Sequence, residues 1–216
     1  ASSTVCTSTI TDILCFKDPI DEIQKQINEM RKAGNPISVV TEMKGNEEYI
    51  ENLSLKQDKY FNAGVMVIDY KKWLKISSNN LFIQNMHLLE DKIIWWDQDV
   101  LNHTFDGNYF ELNYLLNYKK EFIKKFNYKK IHEDVFFLHY QGKTKPWDIS
   151  TFSSEYSKPY IEKYRNLDLE PYHLVIKQPV KDTFNFVLIL IRDFSKIDYK
   201  YGLLKVFFKS LLNLMK

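Results

Sequence analysis

Three short segments gather polar side chains among small and aromatic neighbours. The first is Tyr60-Phe61-Asn62-Ala63-Gly64-Val65-Met66-Val67-Ile68-Asp69-Tyr70-Lys71-Lys72-Trp73. It sets the carboxamide of Asn62 beside Ala63 and Gly64, and small residues let a ligand approach the backbone closely. An ordinary strand with a bulge at Gly64 would have the same composition. The second is Trp95-Trp96-Asp97-Gln98-Asp99-Val100-Leu101-Asn102. Asp97 is placed to cap a helix, and helix N-termini also present polar groups to ligands. Gln98 and Asp99, in the first turn, offer the directed donors and acceptors that sugar hydroxyls require. An acidic first turn favoured only by the helix macrodipole would look the same. The third is His139-Tyr140-Gln141-Gly142-Lys143-Thr144-Lys145-Pro146-Trp147. His139 closes an apolar run, and strand ends in α/β sheets line ligand crevices. Gly142 permits a tight loop, and Lys143 and Lys145 suit phosphate oxygens. A lone histidine also serves often as a structural residue.

Holding these groups requires strands alternating with helices. Ile37 to Val40, Phe61 to Ile68 and Val135 to His139 read as strands. Asp21 to Lys32 reads as an amphipathic helix, with Ile23, Ile27 and Met30 on one face, Asp18-Pro19 at its start and Gly34 as its stop. Leu81 to Asp91, preceded by the Ser77-Ser78-Asn79-Asn80 cluster, and Asp97 to Phe105 read as further helices. The order predicts an α/β layered domain with few strands for a complete doubly wound sheet. A chain of 216 residues that is 44% hydrophobic with only 6 Gly is neither disordered nor collagen-like. Lys+Arg 30 against Asp+Glu 28 gives +2, so no general attraction to nucleic acid is expected. Cys6 and Cys15 lack metal or redox spacing. Ala1 to Thr9 has neither the basic start nor the apolar run of a signal peptide. The absence of GxGxxG, P-loop, HExxH and GxSxG motifs argues against dehydrogenases, P-loop NTPases, zincins and serine hydrolases.

In this order the three segments resemble glycosyltransferase family 8, whose members transfer hexoses from nucleotide sugars and include bacterial lipopolysaccharide and lipooligosaccharide α-hexosyltransferases. Tyr60 to Trp73 resembles its FNxGVxxI-x-x-x-x-W segment, Asp97 to Asn102 its DQDxLN segment, and His139 to Trp147 its H-x-x-G-x-x-KPW segment. The likeness runs from about Thr11 to Trp147. It implies a partial GT-A (nucleotide-diphospho-sugar transferase) fold, a UDP-hexose donor, and a manganese or magnesium ion bridging the diphosphate oxygens. In the family a DxD motif and a late histidine hold that ion. Asp12 matches the second carboxylate and His139 the histidine, whereas Ile10 stands where the first carboxylate belongs. Lys145 matches the lysine that supports the diphosphate, and Gly142 the loop glycine near it. Asn62 and Gln98 match residues facing the donor sugar and reaction centre, and Asp97 the carboxylate that holds the donor's hydroxyls. Asp97 and Gln98 are therefore the expected catalytic residues. The family's nucleotide-binding strands, which would come earlier, have no counterpart in these residues, so base and ribose contacts from that half are not expected. The resemblance further implies transfer with retention of configuration to a lipopolysaccharide or other surface-glycan acceptor. Gln98 is an amide and a poor nucleophile, which favours same-face attack by the acceptor hydroxyl over double displacement. The alternative is a truncated, inactive remnant that binds glycan or membrane only.

Residues 181–216 differ in character from residues 1–180. Seven Lys+Arg against three Asp give +4 there, leaving −2 for the rest of the +2 chain. Thr183 to Ile191 is apolar. From Tyr199 to Lys216 a helix would carry Lys205, Lys209, Asn213 and Lys216 on one face and Leu203, Leu204, Phe207, Leu211, Leu214 and Met215 on the other. The expectation is a GT-A part over 1–180 and a basic amphipathic tail over 181–216, holding a cytoplasmic protein to the inner face of the membrane. A helix docked on its own core fits the same pattern.

Overall fold

The structure is a computed structural model that describes residues 5–9, 12–43, 46–77, 80–119, 131, 133–142, 145–166, 174–176, 178–193, 195 and 200–214. Ile10, Ser78, Asn79, Lys143, Met215 and Lys216 lie outside the described residues. The chain divides into two compact units, 1–121 with 132–139 and 122–131 with 140–216.

Strand β4 (Phe61–Asp69) is the centre of the first unit, buried from Phe61 to Ile68, with Asn62 the one strongly polar side chain in that apolar run. It pairs antiparallel with β1 (Val5–Thr9) and with β3 (Ile37–Thr41), and β5 (Phe110–Glu111) joins β3 in parallel, giving the order β1-β4-β3-β5. Between the pairs Ser38–Val67 and Val40–Asn62, β3 advances two residues while β4 advances five. This register break around Gly64 switches the parity of the core-facing side chains. Phe61 and Ala63 pack inward before it, Met66 and Ile68 after it, all in one cluster with Ile37 and Val39.

Helix α1 (Ile20–Ala33) buries Ile27 and Met30 and stops at Gly34, whose φ is 81°. Bonds from Gly34 N–H to Arg31 O and from Asn35 N–H to Met30 O close its last turn. Helices α2 (Glu47–Asn52), α3 (Tyr70–Ser77), α4 (Leu81–Leu89) and α5 (Asp97–Phe105) follow. Leu101 and Phe105 pack α5 against β4. A second sheet places β7 (Phe137–His139) between β2 (Ile13–Cys15), antiparallel, and β6 (Tyr118–Lys119), parallel. His139 is paired with Ile13 in that register, next to Asp12.

The second unit contains α6 (Lys158–Arg165), α7 (Pro179–Asp193) and α8 (Lys200–Leu214). Its core joins Ile149, Phe152, Leu174 and Ile176 to Phe186 and Ile189 of α7 and to Leu203 and Phe207 of α8. The Phe186 and Phe207 rings stack at 3.9 Å between centroids. Leu203 and Phe207, expected on a lipid-facing side, thus lie in a protein core, while Phe208 and Leu212 are exposed. So are Val180, Phe184, Leu188 and Ile191 of α7. Among the described residues no helix is long and apolar enough to cross a membrane.

Candidate active site

His139 ends β7 with its ring only 3% exposed, and Asp12, just ahead of β2, is buried beside it. Asp12 Oδ1 lies 3.6 Å from His139 Nε2. Ligands about 2.1 Å from one ion, at right angles, sit roughly 3 Å apart, so a small adjustment would bring both onto a cation. The backbone of β4 is cut back to glycine to admit the ring. A Cβ on Gly64 would stand 2.2 Å from His139 Cε1 and 2.8 Å from its Nδ1.

The His139 ring is tied to the other candidate residues by amides. Asn117, wholly buried, has its Oδ1 2.8 Å from His139 Nδ1 and donates from Nδ2 to Asn62 Oδ1 at 3.0 Å. Asn62 Oδ1 also accepts from the Gly64 N–H at 3.0 Å, and Asn62 Nδ2 donates to Gln98 Oε1 at 3.2 Å. Gln98 Oε1 accepts again from the Ala63 N–H at 3.0 Å, and Gln98 Nε2 donates to the Tyr60 hydroxyl at 3.0 Å. That hydroxyl donates to Asp99 Oδ1 at 2.5 Å. Burial, and then the bond to Asp99, push the Tyr60 pKa far above its ordinary 10.0, so it stays a donor. Asp12, His139, Asn62 and Gln98 are therefore brought together, the amides of Asn117, Asn62 and Gln98 holding one another and the His139 ring in place.

The DQDxLN segment divides its work. Asp99, rather than Asp97, ties the start of α5, its Oδ2 accepting from the Ile94 and Trp95 N–H groups at 2.7 Å each. Asn102 clips α5 to β4: Oδ1 accepts from Phe61 N–H at 2.7 Å, and Nδ2 donates to Phe61 O and Gln98 O at 2.9 Å each. Asp97 is exposed, and its carboxylate makes no hydrogen bond to another described residue. The N-cap position belongs to Trp96, which has φ 51° and is 82% exposed. Tyr60 also lines a groove of about 830 Å³ with Glu42, Glu47, Ile50, Glu51 and Asp58.

Gly142 and Lys145 belong to the second unit. Gly142 has φ 79°, a conformation that favours glycine. Lys145 donates from Nζ to Tyr140 O at 2.6 Å and from its backbone N–H to Asp148 Oδ2 at 3.0 Å, which curls the loop on itself. Among the described residues no group of three or more His, Cys, Asp or Glu could hold a metal ion. Asn117, Tyr60 and Asn102 were not expected from the sequence as site residues. For Asn102 a signal existed, since it closes the DQDxLN segment.

A profile of the glycosyl transferase family 8 matches residues 11–151, and the chain belongs to that family. It is 28% identical over 133 residues to General stress protein A of Bacillus subtilis (strain 168), covering 56% of this chain and 45% of the relative. It is 29% identical over 192 residues to a lipopolysaccharide 1,2-glucosyltransferase of Escherichia coli, covering 81% and 51% respectively. The chain thus spans about half the length of the curated relatives it matches. A crystal structure of the galactosyltransferase LgtC with donor and acceptor sugar analogues superposes with a TM-score of 0.62 at 21% identity, covering 79% of this chain and 64% of that one. The apo structure of the bifunctional glycosyltransferase WbbM has a TM-score of 0.51 at 19% identity, covering 75% and 32%. These likenesses show a mixed α/β fold of the GT-A kind.

Proposed function

We propose that this chain forms the sugar- and metal-facing part of a retaining hexosyltransferase, moving glucose or galactose from a UDP-hexose to a lipopolysaccharide or other surface-glycan acceptor. The observation that carries this reading is the unbroken polar chain from the Asp12–His139 pair through Asn117 and Asn62 to Gln98, next in sequence to the exposed Asp97 carboxylate. A lipopolysaccharide glucosyltransferase among its relatives supports the choice of acceptor.

The Asp12–His139 pair fits a divalent cation, with one carboxylate and one imidazole donor side by side. Asp12 and His139 would be the residues of this chain that hold Mn²⁺ or Mg²⁺. When bound, such an ion neutralises charge that develops on the departing UDP. Gln98 and Asn62 orient the donor sugar, their amides fixed by the Ala63 and Gly64 N–H groups. Asp97 accepts hydrogen bonds from the sugar's hydroxyls, and Lys145 and Gly142 support the diphosphate. Gln98 Oε1 already accepts two hydrogen bonds, which further disfavours it as a nucleophile. The groove shared by Tyr60, with its carboxylate rim, suits the hydroxyls of a glycan acceptor. In this reading the protein is cytoplasmic and held peripherally on the inner face of the membrane. The +4 charge of residues 181–216 and the exposed Val180, Phe184, Leu188 and Ile191 of α7 support that attachment.

The competing reading is a non-catalytic remnant, favoured by Ile10 at the first carboxylate position. Transfer of labelled hexose from UDP-glucose and UDP-galactose to lipooligosaccharide separates the two. In whichever length of the protein is active, Asp97→Asn should lower metal-dependent transfer by about 10²-fold, about 2.7 kcal/mol, with folding intact. Activity within about threefold of wild type would leave Asp97 a surface residue. Glycan binding with no transfer under any condition would favour the remnant.

A further inference from the structure

We infer that Asn117 is a positioning residue that sets the tautomer of His139, holding the proton on Nδ1 and so turning Nε2 toward Asp12. Two backbone amides begin the chain of constraints, because a backbone N–H can only donate. The Gly64 N–H meets Asn62 at 3.0 Å, so the Asn62 atom there is its oxygen. The Ala63 N–H likewise identifies the Gln98 oxygen at 3.0 Å, and that oxygen takes Asn62 Nδ2 at 3.2 Å. The direction of the Asn62 amide is thus fixed at both ends, which removes the usual O/N ambiguity of a carboxamide. Asn62 Oδ1 can only accept, so the Asn117 atom 3.0 Å from it is Nδ2. The Asn117 atom 2.8 Å from His139 Nδ1 is then Oδ1, which has no proton to give. Nδ1 therefore carries the hydrogen.

With Nδ1 held by Asn117, the opposite nitrogen, Nε2, is the one turned to the Asp12 side. It faces Asp12 Oδ1 at 3.6 Å. A second residue that holds the far nitrogen of a ligating histidine is how metal sites orient that ligand. Asn117 is wholly buried and so acts only through His139 and Asn62. What the tautomer is for depends on reading Asp12 and His139 as cation ligands; the tautomer itself does not.

Nitrogen–proton NMR of the metal-free protein reads the proton on Nδ1 directly. His139 should be Nδ1–H in the wild type. Asn117→Ala should release it toward Nε2–H and weaken Mn²⁺ binding, followed by the EPR signal of the free ion, by about 10- to 100-fold. Asn117→Asp keeps an acceptor for Nδ1–H and should keep that tautomer while losing the donor to Asn62. A wild-type ring in the Nε2–H form overturns the inference, even if Asn117→Ala does not fold. An Asn117→Ala protein that retains both the Nδ1–H ring and full Mn²⁺ affinity overturns it too. A wild-type Nδ1–H ring in a protein that binds no Mn²⁺ would uphold the tautomer and refute the cation reading of Asp12 and His139.

Discussion

Replacing Gly64 by alanine adds one methyl group where His139 already stands. The new Cβ would lie 2.2 Å from His139 Cε1, 2.8 Å from Nδ1 and 2.9 Å from Asn62 Oδ1. Carbon atoms in contact prefer about 3.5–4.0 Å, so the ring would have to retreat by more than roughly 1 Å. It has little freedom to do so, being buried and held at Nδ1 by Asn117. Overpacking of this kind costs about 1–3 kcal/mol. Pulling the ring from Asn117 leaves a buried polar group unsatisfied, for about 1–3 kcal/mol more. Gly64→Ala should therefore lose about 2–6 kcal/mol in urea unfolding, the sum of those two ranges. It should also lose Mn²⁺ affinity, because the ring no longer faces Asp12. Gly142→Ala is the control. Nothing lies within 4 Å of its Cβ, and its φ of 79° alone costs roughly 1–2 kcal/mol. A Gly64→Ala protein as stable as Gly142→Ala, with Mn²⁺ affinity intact, would refute the close approach of β4 to His139.

Asn102→Ala should cost about 1–3 kcal/mol in thermal or urea unfolding, since it strips Phe61 N–H and O of their buried partner; an unchanged melting curve would show that α5 is held by apolar packing alone. The Tyr109 pKa is pushed up to about 12, chiefly by burial. A folded-state pKa above the ordinary value means that this contribution to stability is complete below pH 10 and is lost as pH rises toward 12. Tyr109→Phe should accordingly flatten the alkaline loss of stability measured by urea unfolding across that window. Phe184→Asp with Ile191→Asp, both at exposed α7 positions, should release the protein from anionic vesicles without unfolding it, and salt should weaken binding of the wild type. Equal co-sedimentation of the two proteins would remove α7 from any membrane contact.

Much of the frame is legible in the chain because its signals are local. Helix α5 begins and ends where its acidic first turn and apolar spacing place it, and β4 shows its β-branched run openly. Asn117 is not legible, because it precedes a two-residue strand with no period to read, and its partners Asn62 and His139 lie far away in sequence. The roles of Asp97 and Asp99 cannot be told apart by composition. The left-handed φ of Trp96 decides them, leaving Asp97 exposed while Asp99 binds the preceding N–H groups. The apolar face of α8 has the same period whether it meets lipid or protein, and only Phe186 stacked on Phe207 shows that part of it meets protein.

The claim that Asp12 and His139 hold the donor's cation is tested most directly by the electron spin-echo spectrum of the Mn²⁺-loaded protein. A coordinated imidazole imprints its nitrogen on that signal. The expected result is nitrogen modulation in the wild type that is lost in His139→Ala and retained in a variant of the exposed His87 on α4. Bound Mn²⁺ without nitrogen modulation, or modulation that survives His139→Ala, would contradict the claim.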